Sequence, residues 1–263
     1  MIKGEQSPLL ETWLMRYLRW DIPRGFHNVY LTGEIGEFQD DGKTPLIVCL
    51  NHSSWWDAMF GLLIEEEFFN WERYSVMEEK QLLRYRFFSK IGMIGVDRTG
   101  LKGAREFLQY IQPLLKGRRR SLWLTPQGEF GSNYQRPIKF QSGVSHIAAS
   151  LDHFYFTTIA FHYEFWNERK PEAFVSFSPV ELFETTSSFN RKAWLHAQER
   201  RLEAQLDSLL ALVEQRDPTL FKVFLSGKTG TNAIYDAVRA LSARIRGEAF
   251  SAEHDPLRNR KQH

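Results

Sequence analysis

"PLIVCLNHSSWWDAMF", residues 45 to 60, joins two kinds of sequence. Leu46 to Leu50 is a short continuous apolar run, the pattern of a strand buried on both faces. Ser53 and Ser54 then offer N-cap chemistry to a helix that continues through Met59 and Phe60. Between these elements stand His52 and Asp57, five positions apart. Inside one helix such residues point away from each other, but a His on a strand-to-helix turn can face an Asp in the first helical turn. A carboxylate placed there holds the imidazole in one tautomer and makes it a base able to take a proton from a hydroxyl. The same pair also occurs as a plain structural hydrogen bond, and chance supplies roughly 0.3 His-x4-Asp pairs in such a chain. The pair alone does not choose between the two readings.

Outward from this turn, short β-type runs alternate with helical ones. "VYLTG", "PLIVCL", "YSVM", "MIGVD", "SLWLT", "FYFTTIAF" and "AFVSFSPV" read as strands, and helices are expected near 55–69, 78–90, 101–116 and 142–150. The fold class this predicts is α/β, a sandwich of a mixed or parallel sheet flanked by helices, with polar groups gathering where loops leave the strand ends. Before it, "SPLLETWLMRYLRWDI" (7–22) reads as an amphipathic helix with Ser7 as N-cap, Pro8 in its first turn and Leu10, Leu14, Tyr17 and Leu18 at helical spacing. It is either packed on the domain or an interfacial anchor with Trp13, Trp20, Arg16 and Arg19 toward a membrane, and both can hold together. After Pro179 a long charged helix ends at Pro218, followed by a second helix near 231–246. The organisation expected is an N-terminal helix over 1–26, an α/β core over 27–185 and a C-terminal helical extension over 186–263.

Composition narrows the function. At 263 residues and 43% hydrophobic content the chain suits one large domain that folds without staples. Its single cysteine, Cys49, lies in the apolar run, so it reads as a core thiol in a reducing compartment. A net charge of +2 without a long basic block argues against nucleic acid. No stretch approaches the ~20 apolar residues of a spanning helix, and the N-terminus lacks a signal-peptide pattern. His146, His153 and His162 have no metal-ligand spacing, so no metal is assigned. "LSGKTGTN" (225–232) lacks the first glycine of a phosphate loop, where Lys222 stands, and reads as a loop between helices.

Two further stretches carry chemistry. "GMIGVDR" (92–98) ends a strand with Arg98, which can clamp a phosphate beside the N-terminus of the helix beginning near Leu101. "SLWLTPQGEFGS" (121–132) runs a strand into a turn that brings Gln127, Gly128 and Glu129 to the same edge. In this order and spacing the sequence resembles the lysophosphatidic acid and glycerol-3-phosphate acyltransferase superfamily over residues 27 to 180. Asn51, His52 and Asp57 fit its N-H-x-x-x-x-D motif, "GMIGVDR" fits G-x-x-x-x-x-R, and "TPQGEF" stands where the family has F-P-E-G-T-R. A fourth motif would fall in "TTIAFHYEF", where its frequent proline is absent.

The resemblance implies transfer of an acyl group from a thioester, on coenzyme A or acyl carrier protein, to a hydroxyl of a lysophospholipid or related lipid, with no other cofactor. His52 would be the general base, Asp57 its orienting partner and Arg98 the phosphate clamp. Amides around Gly128 are expected to stabilise the oxyanion. Gln127 replaces the family Glu, and Glu129 and Phe130 replace Thr-Arg, which leaves acceptor recognition open. Arg136 and Lys139 are expected to compensate, or to be exposed loop charges. The turn "KGRRR" (116–120) is either solvated or a contact for anionic headgroups or coenzyme A phosphates. The expected partners are a membrane surface, the acyl donor, the lipid acceptor and, as an alternative donor carrier, an acyl carrier protein; the location expected is cytoplasmic, on the inner face of the membrane. An inactive lipid-binding member of the fold and a thioester hydrolase remain alternatives.

Overall fold

The structure, a computed structural model, describes residues 1–97, 100–227, 244 and 246. Among them, nine strands form one sheet: β1 (Asn28–Gly33), β2 (Leu46–Leu50), β3 (Glu72–Glu78), β4 (Met93–Val96), β5 (Arg120–Leu124), β6 (His153–Glu164), β7 (Glu172–Phe177), β8 (Glu181–Glu184) and β9 (Lys222–Ser226). Their order is β4-β3-β5-β2-β6-β7-β1-β9, with β8 on the first half of β6. β2 lies centrally, parallel to both β5 and β6, and the β6–β7 and β1–β9 pairs are antiparallel. The sheet is therefore mixed, and with its helices it forms the expected α/β sandwich.

Side chains alternate across the sheet and build two cores. Ile47 and Cys49 of β2 face one core with α4 (Leu101–Leu115), α5 (Gly143–Ala149) and α6 (Arg191–Glu214). Leu46, Val48 and Leu50 face the other with α1 (Pro8–Gly25) and α2 (Trp56–Ile64). All five β2 residues are buried, at roughly 1.5–3 kcal/mol for each large apolar side chain. The strand is thus a fixed base for the turn that follows it. Burial pushes the Cys49 thiol pKa up, in keeping with a core thiol.

Several sequence expectations need correction. The helix expected over 78–90 is a short α3 (Glu79–Arg84) followed by a 3-10 turn (Arg86–Lys90), because the chain must turn back at Tyr85 to start β4 beside β3. α2 gives way to a π-type turn, Glu65–Phe69, closed by Asn70 at φ 54°. There the buried Glu65 carboxyl accepts from the Trp71 N–H at 2.7 Å, Ser121 Oγ at 2.9 Å and Trp123 Nε1 at 2.6 Å, while burial raises its pKa. β8 and β9 were not anticipated. Residues from 186 onward are not a purely helical addition: Trp194, Leu202, Leu206 and Leu209 of α6 enter the main core, and β9 pairs with β1. The helix expected at 231–246 and the loop beyond Gly227 lie outside the described residues, as does Arg98.

In α1 the Ser7 side chain makes no cap bond; its carbonyl accepts from the Glu11 N–H at 2.9 Å instead. Leu14, Met15, Leu18 and Ile22 are the buried stripe. Tyr17, expected on that stripe, is 42% exposed and stacks on Trp13 at 5.8 Å. Burying its ring would have left the hydroxyl in need of a partner.

Candidate active site

The turn after β2 is built around one carboxylate. Asp57 is completely buried in the first turn of α2. Its Oδ2 accepts from the backbone N–H of Ser53 at 2.7 Å and of Ser54 at 2.8 Å, and lies 3.2 Å from His52 Nδ1. Its Oδ1 accepts from the Tyr163 hydroxyl at 2.7 Å. Donors on both of its oxygens fix the carboxylate in orientation. Burial and the neighbouring charge push the Tyr163 hydroxyl pKa well above its ordinary value, so it stays a donor. Asp57 thus ties back the two residues before the helix, while Ser54 Oγ accepts from the Trp56 N–H at 3.2 Å and the N-cap residue Trp55 makes no side-chain cap bond. His52 keeps a side-chain exposure of 20%, with Nε2 as the ring nitrogen that Asp57 does not engage.

The residue before His52 ties this turn to the sheet. Asn51 Oδ1 accepts from the Phe161 N–H at 2.7 Å, and its Nδ2 donates to the Phe161 carbonyl at 2.9 Å and to Asn133 Oδ1 at 2.7 Å. Asn133 donates in turn to the Phe161 carbonyl at 2.9 Å and lies 3.1 Å from His162 Nδ1. Phe130 lies over the imidazole, ring centroids 4.1 Å apart. Tyr163, Asn133 and Phe130 complete a site of which sequence reading identified only His52 and Asp57 as catalytic.

The remaining expected site residues are placed differently. Gln127 reaches the turn after β2, but its Oε1 accepts from the His52 backbone N–H at 2.9 Å, so it holds the turn. The Gly128 N–H donates to the Thr125 carbonyl at 3.0 Å within a turn at φ 83°, and the Gly131 N–H donates to the His52 carbonyl at 2.7 Å. The amide of Gly128 itself is therefore used by its own turn. Glu129 is exposed. Arg136 pairs with Asp207 and donates to the carbonyls of Asn133 and Gln135; Lys139 lies 3.7 Å from Glu199. Both cations are drawn to carboxylates of α6 rather than to His52. The basic turn is similarly engaged, with Lys116 on Asp152 at 2.9 Å, Arg119 on Asp40 at 2.6 Å and Arg120 on Glu72 at 2.7 Å.

The Gln127 contact makes a specific prediction. Gln127→Leu removes the acceptor from a backbone donor, a loss of about 1 kcal/mol or more, and should lower kcat about tenfold by loosening His52. Gln127→Glu retains an acceptor oxygen and should stay within a few-fold of wild type. The check is kcat and KM for both variants; equal activity of the Leu variant and wild type would deny the contact any role.

A buried, oriented carboxylate and a partly exposed imidazole at the end of a central strand make an arrangement that can act as a general base. Among the described residues no three His, Cys, Asp or Glu side chains gather as a metal site, and no helix is long and apolar enough to cross a membrane. The model of the acyltransferase family matches residues 27–162, just over half of the chain, and the protein belongs to that family. Its fold is shared with the solved 1-acyl-sn-glycerophosphate (LPA) acyltransferase PlsC from Thermotoga maritima. The TM-score is 0.51 at 13% identity, covering 76% of this chain and 79% of that one. No curated protein matches the sequence.

Proposed function

We propose that this acyltransferase moves a fatty acyl group from an acyl thioester, on coenzyme A or acyl carrier protein, to a hydroxyl of a lysophospholipid or related lipid. The observation that carries the reading is the His52–Asp57 pair, fixed by two backbone N–H groups and Tyr163. In the proposed step the acceptor oxygen attacks the thioester carbonyl as its proton passes to His52 Nε2. Collapse of the tetrahedral intermediate breaks the C–S bond, and the imidazolium returns the proton to the departing thiolate. A thioester is already activated, so no covalent acyl-enzyme is needed. Arg98, two residues beyond β4, is proposed to bind phosphate on the acceptor, as guanidinium geometry suits.

The site is proposed to work at the inner face of the cytoplasmic membrane. Supporting this, Trp13 is 58% and Trp20 53% exposed on α1, beside exposed Leu9, while the opposite stripe of that helix is buried. Trp13→Ser with Trp20→Ser should therefore release the protein from liposomes without lowering its melting temperature. Equal co-sedimentation of variant and parent would leave α1 with a packing role alone.

The activity is tested by incubating labelled acyl-CoA or acyl carrier protein with and without a panel of lysolipids and following acyl-lipid and free fatty acid. Acyl-lipid formation supports the proposal. Free acid alone would replace it with thioester hydrolysis, and neither product would leave a non-catalytic lipid-binding protein.

A further inference from the structure

An open cleft of about 420 Å³ lies against the catalytic turn, and the strand order fixes which side of His52 it occupies. Its walls include Ser53 and Ser54 of the turn, the 131–134 loop, the end of β6 and Phe26 after α1. That is the β6 side of β2. β4 lies three strands away on the opposite side, about 14 Å at the usual strand spacing.

The lining is aromatic and uncharged. Phe26, Trp56, Tyr134, Tyr163 and Phe165 supply rings, and Ser54, Ser132 and Tyr134 supply hydroxyls. Among the described residues, no Lys or Arg belongs to the lining. Neighbouring cations are engaged elsewhere: Arg136 by Asp207, Lys139 by Glu199, and Lys170 by the Pro23 carbonyl at 3.3 Å. His162 of the lining is pushed toward its neutral form by burial. Glu164, 3.7 Å from His162, brings negative charge to this edge, and its Oε1 accepts from the Phe165 N–H at 2.9 Å. Asp57 lies behind Tyr163. Among the described lining residues a phosphate would meet no cation and a cationic group no carboxylate. Sugar and polyol groups instead match both parts of the lining, with apolar faces for the rings and hydroxyl edges for the serines and Tyr134.

We propose that this cleft seats the neutral polyhydroxyl headgroup, a sugar or polyol, of an acceptor lipid, presenting one of its hydroxyls to His52. The assignment rests on the lipid acyltransferase reading for its role and on the cleft's chemistry for its ligand. Octyl glucoside, octyl phosphate, octyltrimethylammonium and free glucose, each below any micelle concentration, would be titrated calorimetrically into the full chain. The titrations would be repeated on Tyr134→Ala/Phe165→Ala, two exposed aromatic positions outside the catalytic pair, with circular dichroism confirming the fold. Octyl glucoside should bind at least about tenfold tighter than the other three, and the double variant should lose about tenfold for it alone. In the transfer assay a lysophospholipid with a sugar headgroup should exceed lysophosphatidic acid in kcat/KM, and the variant should raise KM for that acceptor but not for acyl-CoA.

Tighter binding of the phosphate or the ammonium overturns the proposal, as does glucose binding as well as its octyl glycoside, which would make the cleft a free-sugar site. A variant effect confined to acyl-CoA would make it the donor's seat and also overturn it. Because binding is read without turnover, an enzyme that acylates no acceptor would refute the proposed activity while the titration still decides the ligand.

Discussion

His52→Ala is expected to lower turnover by about 10²–10⁴-fold, the range for loss of a positioned general base, while the melting temperature changes little. The asymmetry follows from the bonds around the turn. The His52 backbone keeps its links to Gln127 and Gly131, and Asp57 keeps Ser53, Ser54 and Tyr163 as donors after the imidazole is gone. No buried charge is stranded, so the stability cost should be about 1 kcal/mol or less. Steady-state rates beside a thermal melt check this. Activity within a few-fold of wild type would remove His52 from the mechanism.

The second large effect is expected at Asp57, where two substitutions separate charge from shape. In Asp57→Asn the remaining carbonyl oxygen can take the place of Oδ2 and still accept from Ser53, Ser54 and His52, with the new amide turned to a reoriented Tyr163 hydroxyl. The fold should survive. What disappears is the negative charge that stabilises the imidazolium formed during proton transfer, so kcat should fall by about 10²-fold or more. Asp57→Ala instead leaves buried donors without an acceptor, at about 1–3 kcal/mol each, and should depress the melting temperature sharply. The critical result is Asp57→Asn: a folded variant with wild-type kcat would make the pair structural only.

The β2–turn–α2 unit was legible because its signals are local. An unbroken apolar run, turn residues and a helix start fall within sixteen residues, and the His-Asp spacing makes sense only across that turn. Tyr163 and Asn133 were not legible as partners of this unit. Tyr163 meets Asp57 across 106 positions and Asn133 meets Asn51 across 82, and periodicity marks the face of a strand without saying which distant side chain it touches. Gln127 shows the limit of motif matching: its place was right, but its hydrogen bond goes to the His52 backbone. The carboxylate partners of Arg136, Lys139 and the basic turn were not legible because they are remote in sequence. β8 and β9 are short and largely exposed, so they lack the apolar runs or clean alternation that announced the inner strands.

Asn51 explains how the chain leaves the sheet without unravelling it. β2 ends at Leu50 while β6 continues to Glu164, so the next rung of the ladder at Phe161, paired with β7 on one side, has no β2 strand on the other. The Asn51 side chain presents one carbonyl and one N–H to that rung, the same pair that a peptide group would offer. It acts as a surrogate peptide unit, and the true backbone is released to lift His52 out of the sheet. Aspartate has the same outline but no donor for the Phe161 carbonyl; leucine has neither group. The first letter of the N-H-x-x-x-x-D motif is thus a joint between scaffold and chemistry, where an amide is required for the histidine to depart from the sheet.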